Sequence, residues 1–175
     1  MKRIAIALMV FAAVPALAQS PANLGVASAA TVWNGMTQNI IKSAEQMPEA
    51  DYAYKPVATV RSFGELIGHV AGAQYMFCAA ALGEAPRGEA DVENTVKTKA
   101  GLVDAIKAST EYCKKAYAQT DAASAATTKL FGGDVTRMYA LSLNAAHNGE
   151  HYGNIVTYLR MKGMVPPSSQ PRAGQ

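Results

Sequence analysis

The sequence predicts an all-α protein, a four-helix bundle whose second and third helices are joined by a link long enough for a crossover. Three observations carry this. The chain is rich in Ala and almost without strand signals. Four stretches carry apolar residues at helical spacing, with helix start and stop signals at their ends. The fifteen residues between the second and third stretches, 83–97, reach about 50 Å when extended, against about 30 Å for a twenty-residue helix. That link can run back along the bundle and leave the two helices parallel.

The elements follow in order. Lys2 and Arg3 precede an apolar run over residues 4–14, and Ala16-Leu17-Ala18 has the small-x-small pattern of a cleavage site. Residues 1–18 therefore read as a secretory signal peptide, giving a mature chain from about Gln19 and a periplasmic or secreted address. The apolar run is shorter than the roughly 20 residues a membrane helix needs, and no later stretch qualifies. The first bundle helix spans about residues 27–46 and stops before Met47-Pro48. Residues 48–61 hold two prolines and two tyrosines and read as a loop. Ser62-Phe63-Gly64-Glu65 is a capping box that opens the second helix. Leu66, Val70, Ala73 and Phe77 form its stripe, and Gly83 ends it. Thr98 caps the third helix, which runs to about Gln119 with Leu102, Ile106, Cys113 and Tyr117 as its stripe. A polar stretch over residues 120–133 follows. The fourth helix spans about residues 135–162 and closes at Gly163, before Pro166-Pro167. The bundle occupies residues 19–168, and residues 169–175 read as a disordered tail.

The formal charge of +3 includes Lys2 and Arg3. Without them, fourteen basic residues face thirteen acidic ones. No basic run exists, so nucleic acid is not expected as a partner. Cys78 and Cys113 are the only cysteines. In an oxidising compartment the pair reads as a disulfide, and otherwise as two buried thiols. Topology links the alternatives. Parallel second and third helices put both cysteines at one end of the bundle; an antiparallel hairpin separates them beyond bonding distance.

Two of the three histidines lie in HNGEH, His147 and His151, four residues apart on the fourth helix. That spacing puts both rings on one face. The third, His69, lies on the stripe of the second helix. Asn144, His147, His151 and Asn154 make a polar ribbon on a face expected to be buried, where polar groups need partners. Three imidazoles with an open position form a site for Zn²⁺, Ni²⁺ or a similar ion. Asn144, Glu150 and Asn154 are the candidates for supporting or proton-handling roles; Tyr152, Tyr158 and Trp33 read as packing. The H-x-x-E-H protease motif needs a further downstream carboxylate, and no Asp or Glu follows His151. A di-iron bundle needs Glu-x-x-His, and c-type haem needs C-x-x-C-H; neither occurs.

SFGELIGHVAGAQ around His69, HNGEHYGNIVTYLRMKGMVPPS around His147 and His151, and the spacing between them resemble the DinB/YfiT-like superfamily of metal-binding four-helix bundles. The resemblance spans essentially the whole mature chain. It implies a crossover between the second and third helices, a divalent ion, commonly Zn²⁺ or Ni²⁺, held by His69, His147 and His151, and often a homodimer. It also implies a small-molecule substrate and metal-dependent chemistry, as a hydrolase or as a transferase in which the metal activates a low-molecular-weight thiol. The alternative is a non-enzymatic, metal-stabilised or stress-related binding module of the cell envelope.

Overall fold

The computed structural model describes residues 23–171; the signal-peptide expectation for residues 1–18 and the last four residues of the expected tail lie outside them. Four long helices form the bundle: α1 (Leu24–Gln46), α2 (Phe63–Leu82), α4 (Lys99–Ala116) and α6 (Arg137–Met161). Two short helices, α3 (Asp91–Thr95) and α5 (Asp121–Ser124), lie in the connections after α2 and α4. Local chemistry sets the ends. Ser62 Oγ accepts from Glu65 N while the Glu65 carboxylate accepts from Ser62 N, completing the capping box. Thr98 and Thr136 cap α4 and α6 through side-chain oxygens. The first amides of α1 are capped from a distance, Gly25 N and Val26 N donating to the Asp121 carboxylate. Gly83 takes a left-handed φ of 72°, and Glu84 N closes back on Ala79 O, the glycine stop expected for α2.

A β-hairpin that the sequence reading missed begins in the polar stretch and runs past it to Thr136. β1 (Thr127–Leu130) pairs antiparallel with β2 (Gly133–Thr136). The Phe131-Gly132 turn has positive φ at both residues, 51° and 79°, the geometry of a two-residue type I′ hairpin. Gly accepts this freely, whereas Phe is a rare occupant, so the usual Asn-Gly signal was missing. The hairpin takes Val135 and Thr136, so α6 starts two residues later than expected. Similarly, α4 ends at Ala116, short of Gln119.

The crossover is present. Cys78 and Cys113, each near the C-terminal end of its helix, are joined in a disulfide with Cα atoms 5.3 Å apart. At the other end, Leu102 in the first turn of α4 lies beside Gly64 and Gly68 near the start of α2. Both ends match, so α2 and α4 run parallel.

The interior is layered along the bundle axis. One apolar cluster gathers Phe63, Ile67, Ile106, Ile155 and Leu159; another gathers Trp33, Phe77, Leu141 and the disulfide. Between them each long helix contributes buried polar groups: Thr37, Gln74, Ser109 with Thr110, and Asn148. Most of their polar atoms are paired within the layer or to backbone, although Asn148 Oδ1 is left without a partner. Trp33 Nε1 donates to Gln74 Oε1, Gln74 Nε2 donates to Ser109 Oγ, and Asn148 Nδ2 donates to Thr37 Oγ1. The histidines occur at this same mid-level of α2 and α6.

Candidate metal centre

His69 comes from the middle of α2, and His147 and His151 from successive turns of α6. Their Nε2 atoms converge. The separations are 3.1 Å between His69 and His151, 3.2 Å between His147 and His69, and 3.0 Å between His151 and His147. Only 6% of His69 and 8% of His151 is exposed, so their polar atoms need partners within the protein. Phe77 packs edge-on against the His147 ring, with centroids 5.4 Å apart.

Hydrogen bonding alone does not satisfy this triangle. A neutral imidazole carries one N–H, which points outward along one direction, so three mutual Nε2 contacts cannot each receive a well-aligned proton. Extra protons are disfavoured. Burial, followed by the positive Arg61 and then His151, pulls the His69 pKa down to about 4. Burial and the two neighbouring histidines pull His147 to about 3. Burial also lowers that of His151, against the opposing pull of Glu150. Three neutral rings thus turn lone pairs towards one point. Tetrahedral zinc with Zn–N bonds of about 2.05 Å spaces its nitrogen donors about 3.3 Å apart, within a few tenths of an ångström of the spacing here. The residues fit a divalent ion.

Two of the three outward-facing nitrogens also meet neighbouring polar groups, while His147 Nδ1 is buried without a hydrogen-bond partner. His69 Nδ1 lies 3.6 Å from Glu93 Oε2, and Arg61 Nε holds both oxygens of that carboxylate at 3.0 and 3.2 Å. His151 Nδ1 faces the Asn154 side-chain amide at 3.4 Å. At His69 the Glu93 carboxylate is an acceptor that favours the proton on Nδ1 and leaves Nε2 free for a metal. A cleft of about 690 Å³ opens beside His151, lined by Lys55, Arg61, Glu93, Glu150, Asn154 and Tyr158 among others.

Of the three supporting candidates, Asn154 touches a histidine, and Glu150 is exposed on the cleft wall. Asn144 is elsewhere, a correction to the sequence reading. Its Nδ2 faces Cys78 Sγ at 3.4 Å and Cys113 Sγ at 3.8 Å, so it serves the disulfide. The polar ribbon runs past the metal centre into that layer, and helical spacing alone did not show where one function gave way to the next. Tyr158 donates to Arg61 O at the cleft, and Trp33 stacks on Tyr117 in the core. Sequence reasoning missed Arg61, Glu89 and Glu93. Glu89 and Glu93 lie in the crossover, where no periodicity marks a face.

The DinB superfamily model matches residues 33–155. The chain belongs to the DinB superfamily. Among solved structures, a DinB-like protein from Bacillus cereus ATCC 10987 superposes with a TM-score of 0.69 at 14% identity, over 81% of this chain and 95% of the other. A DinB-like protein from Bacillus subtilis, YjoA, gives 0.65 at 24% identity, over 83% and 99%. A mycothiol-dependent maleylpyruvate isomerase gives 0.61 at 16% identity, over 83% and 78%. No curated protein matches the chain. These likenesses extend the DinB-like fold to the bundle described above, and among the described residues no helix is long and apolar enough to cross a membrane.

Proposed function

We propose that this DinB-like protein is an exported, divalent-metal-dependent enzyme acting on a small molecule. An ion of the zinc or nickel class held by it would supply activation of water for hydrolysis or of a low-molecular-weight thiol for group transfer. The observation that carries this reading is the convergence of three neutral imidazole nitrogens, all within 3.2 Å of one another, beside an open cleft.

His69, His147 and His151 would hold the ion. When bound, such an ion lowers the pKa of a coordinated water or thiol into the neutral range. The other roles belong to the chain itself. Glu93, held by Arg61, keeps the proton of His69 on Nδ1. Asn154 orients the His151 ring. Lys55 and Arg61 line the cleft paired with Glu65 and Glu93, so a substrate there would meet both signs of charge. Glu150, exposed on the same wall, is the candidate to take up a proton at the mouth. The solved isomerase that depends on mycothiol supports the thiol arm. The leader read in residues 1–18 and the Cys78–Cys113 disulfide support export, since such bonds persist in oxidising compartments. The homodimer implied by the resemblance is part of this proposal and is read by mass measurement in solution.

The test is metal analysis of the purified mature chain, followed by turnover assays on small electrophiles, with zinc or nickel restored and with or without added thiols. One ion per chain and metal-dependent turnover support the proposal. A chain that carries no ion overturns it. A full complement of metal with no turnover on either arm transfers support to a non-enzymatic envelope module.

A further inference from the structure

The crossover between α2 and α4 brings a carboxylate to the histidine cluster. Glu89 Oε1 lies 3.7 Å from His69 Nε2 and 3.8 Å from His147 Nε2. These are two of the three nitrogens that converge.

Two glycines explain how the crossover comes so close. A Cβ at Gly72 would overlap the carbonyl oxygen of Glu89. One turn earlier, a Cβ at Gly68 would stand 2.9 Å from the Cα of Glu93. Gly68 and Gly72 therefore leave a shallow groove along α2, directly beside His69, and the crossover backbone rests in it. Two carboxylates then address opposite edges of one imidazole, Glu93 at Nδ1 and Glu89 at Nε2.

An anionic oxygen beside two nitrogen lone pairs is unfavourable unless a cation lies between them. The spacing is also too short for a bridging water. Two hydrogen bonds of about 2.8 Å through one water span about 4.5 Å. Donor atoms sharing a tetrahedral ion with bonds of about 2.0–2.2 Å lie about 3.3–3.5 Å apart. Glu89 Oε1 lies a few tenths of an ångström outside that spacing from His69 and His147.

We propose that Glu89 is a fourth protein ligand, closing the centre as a three-histidine, one-glutamate site from the crossover side. The proposal rests on the metal reading above and deepens it. It leaves the cleft beside His151 for water, thiol or substrate, because zinc expands to five ligands during reaction. It also makes the crossover a metal-pinned segment, held by backbone contact at Gly72 and by coordination at Glu89.

The test uses the mature chain and its Glu89→Gln, Glu89→Ala and Glu89→Asp variants, stripped with chelator. Zinc affinity is measured by competition, and the visible d–d bands are recorded with Co²⁺ bound. The half-buried Glu89 side chain lies outside the apolar core, so far-UV circular dichroism should match the parent. The expected result is a tenfold or greater loss of zinc affinity in the Gln and Ala variants, together with Co²⁺ bands changed in position and intensity. Parental affinity with unchanged bands in both overturns the assignment of Glu89 and leaves the three-histidine site standing. A parent chain that binds no zinc is a different failure, and it removes the metal reading itself.

Discussion

A metal ligand must offer a lone pair, and at these histidines burial keeps it available. The low values of about 4 for His69 and about 3 for His147 come chiefly from desolvation. In the unfolded chain a histidine titrates near 6.5. The folded values are lower, so the unfolded state binds more protons between the two. The metal-free protein should therefore keep its full stability above about pH 6.5 and lose it progressively as pH falls towards 4. Thermal unfolding of chelator-treated protein across that window checks this; a midpoint that rises on acidification contradicts it. The three histidines were legible in the sequence because they are few, two share a helical face and the third falls on a core stripe. Glu89 and Glu93 were not, because their positions depend on a backbone path fixed by Gly68 and Gly72 on another element. Asn144 was misplaced for a related reason. Periodicity gives a face, and only packing gives the depth along it.

At the level of elements, the long helices were legible because each carries its own signals. The Ser62 capping box, the Thr98 cap and the Gly83 stop fall where the sequence puts them. The hairpin was hidden because its strands have four residues each and Phe131 occupies a left-handed position that its residue type does not advertise. The crossover was legible as a length and illegible as a surface. Its contact with α2 gives a prediction. Gly72→Ala should force the backbone at Glu89 away from the helix, costing about 1–3 kcal/mol as an overpacking change. Limited proteolysis should then cut faster within residues 84–97. An unchanged melting temperature with unchanged protection would show that the groove does not hold the crossover.

Across the whole molecule, two apolar clusters with a polar mid-layer between them set the long helices in register. The disulfide then fixes α2 parallel to α4. Link length and cysteine positions stated this topology only as a linked pair of alternatives, since the cysteines meet only if the helices run the same way, and the family resemblance chose the crossover. The bond spans a separation of 35 residues, and chain-entropy arguments give such a loop about 3–4 kcal/mol of stabilisation. Replacing both cysteines by alanine should lower the denaturant midpoint accordingly. Equal midpoints would show that packing alone fixes the parallel pair. The layer bearing the histidines lies between that bond and the cluster of Phe63, Ile67 and Leu159, so the scaffold brings the three rings to one point. The most direct measurement of that claim is the metal content of the purified parent beside His147→Ala, each with its circular dichroism. One divalent ion per parent chain, lost from a variant that remains largely helical, is the predicted result; a variant that keeps its full equivalent would contradict the centre described here.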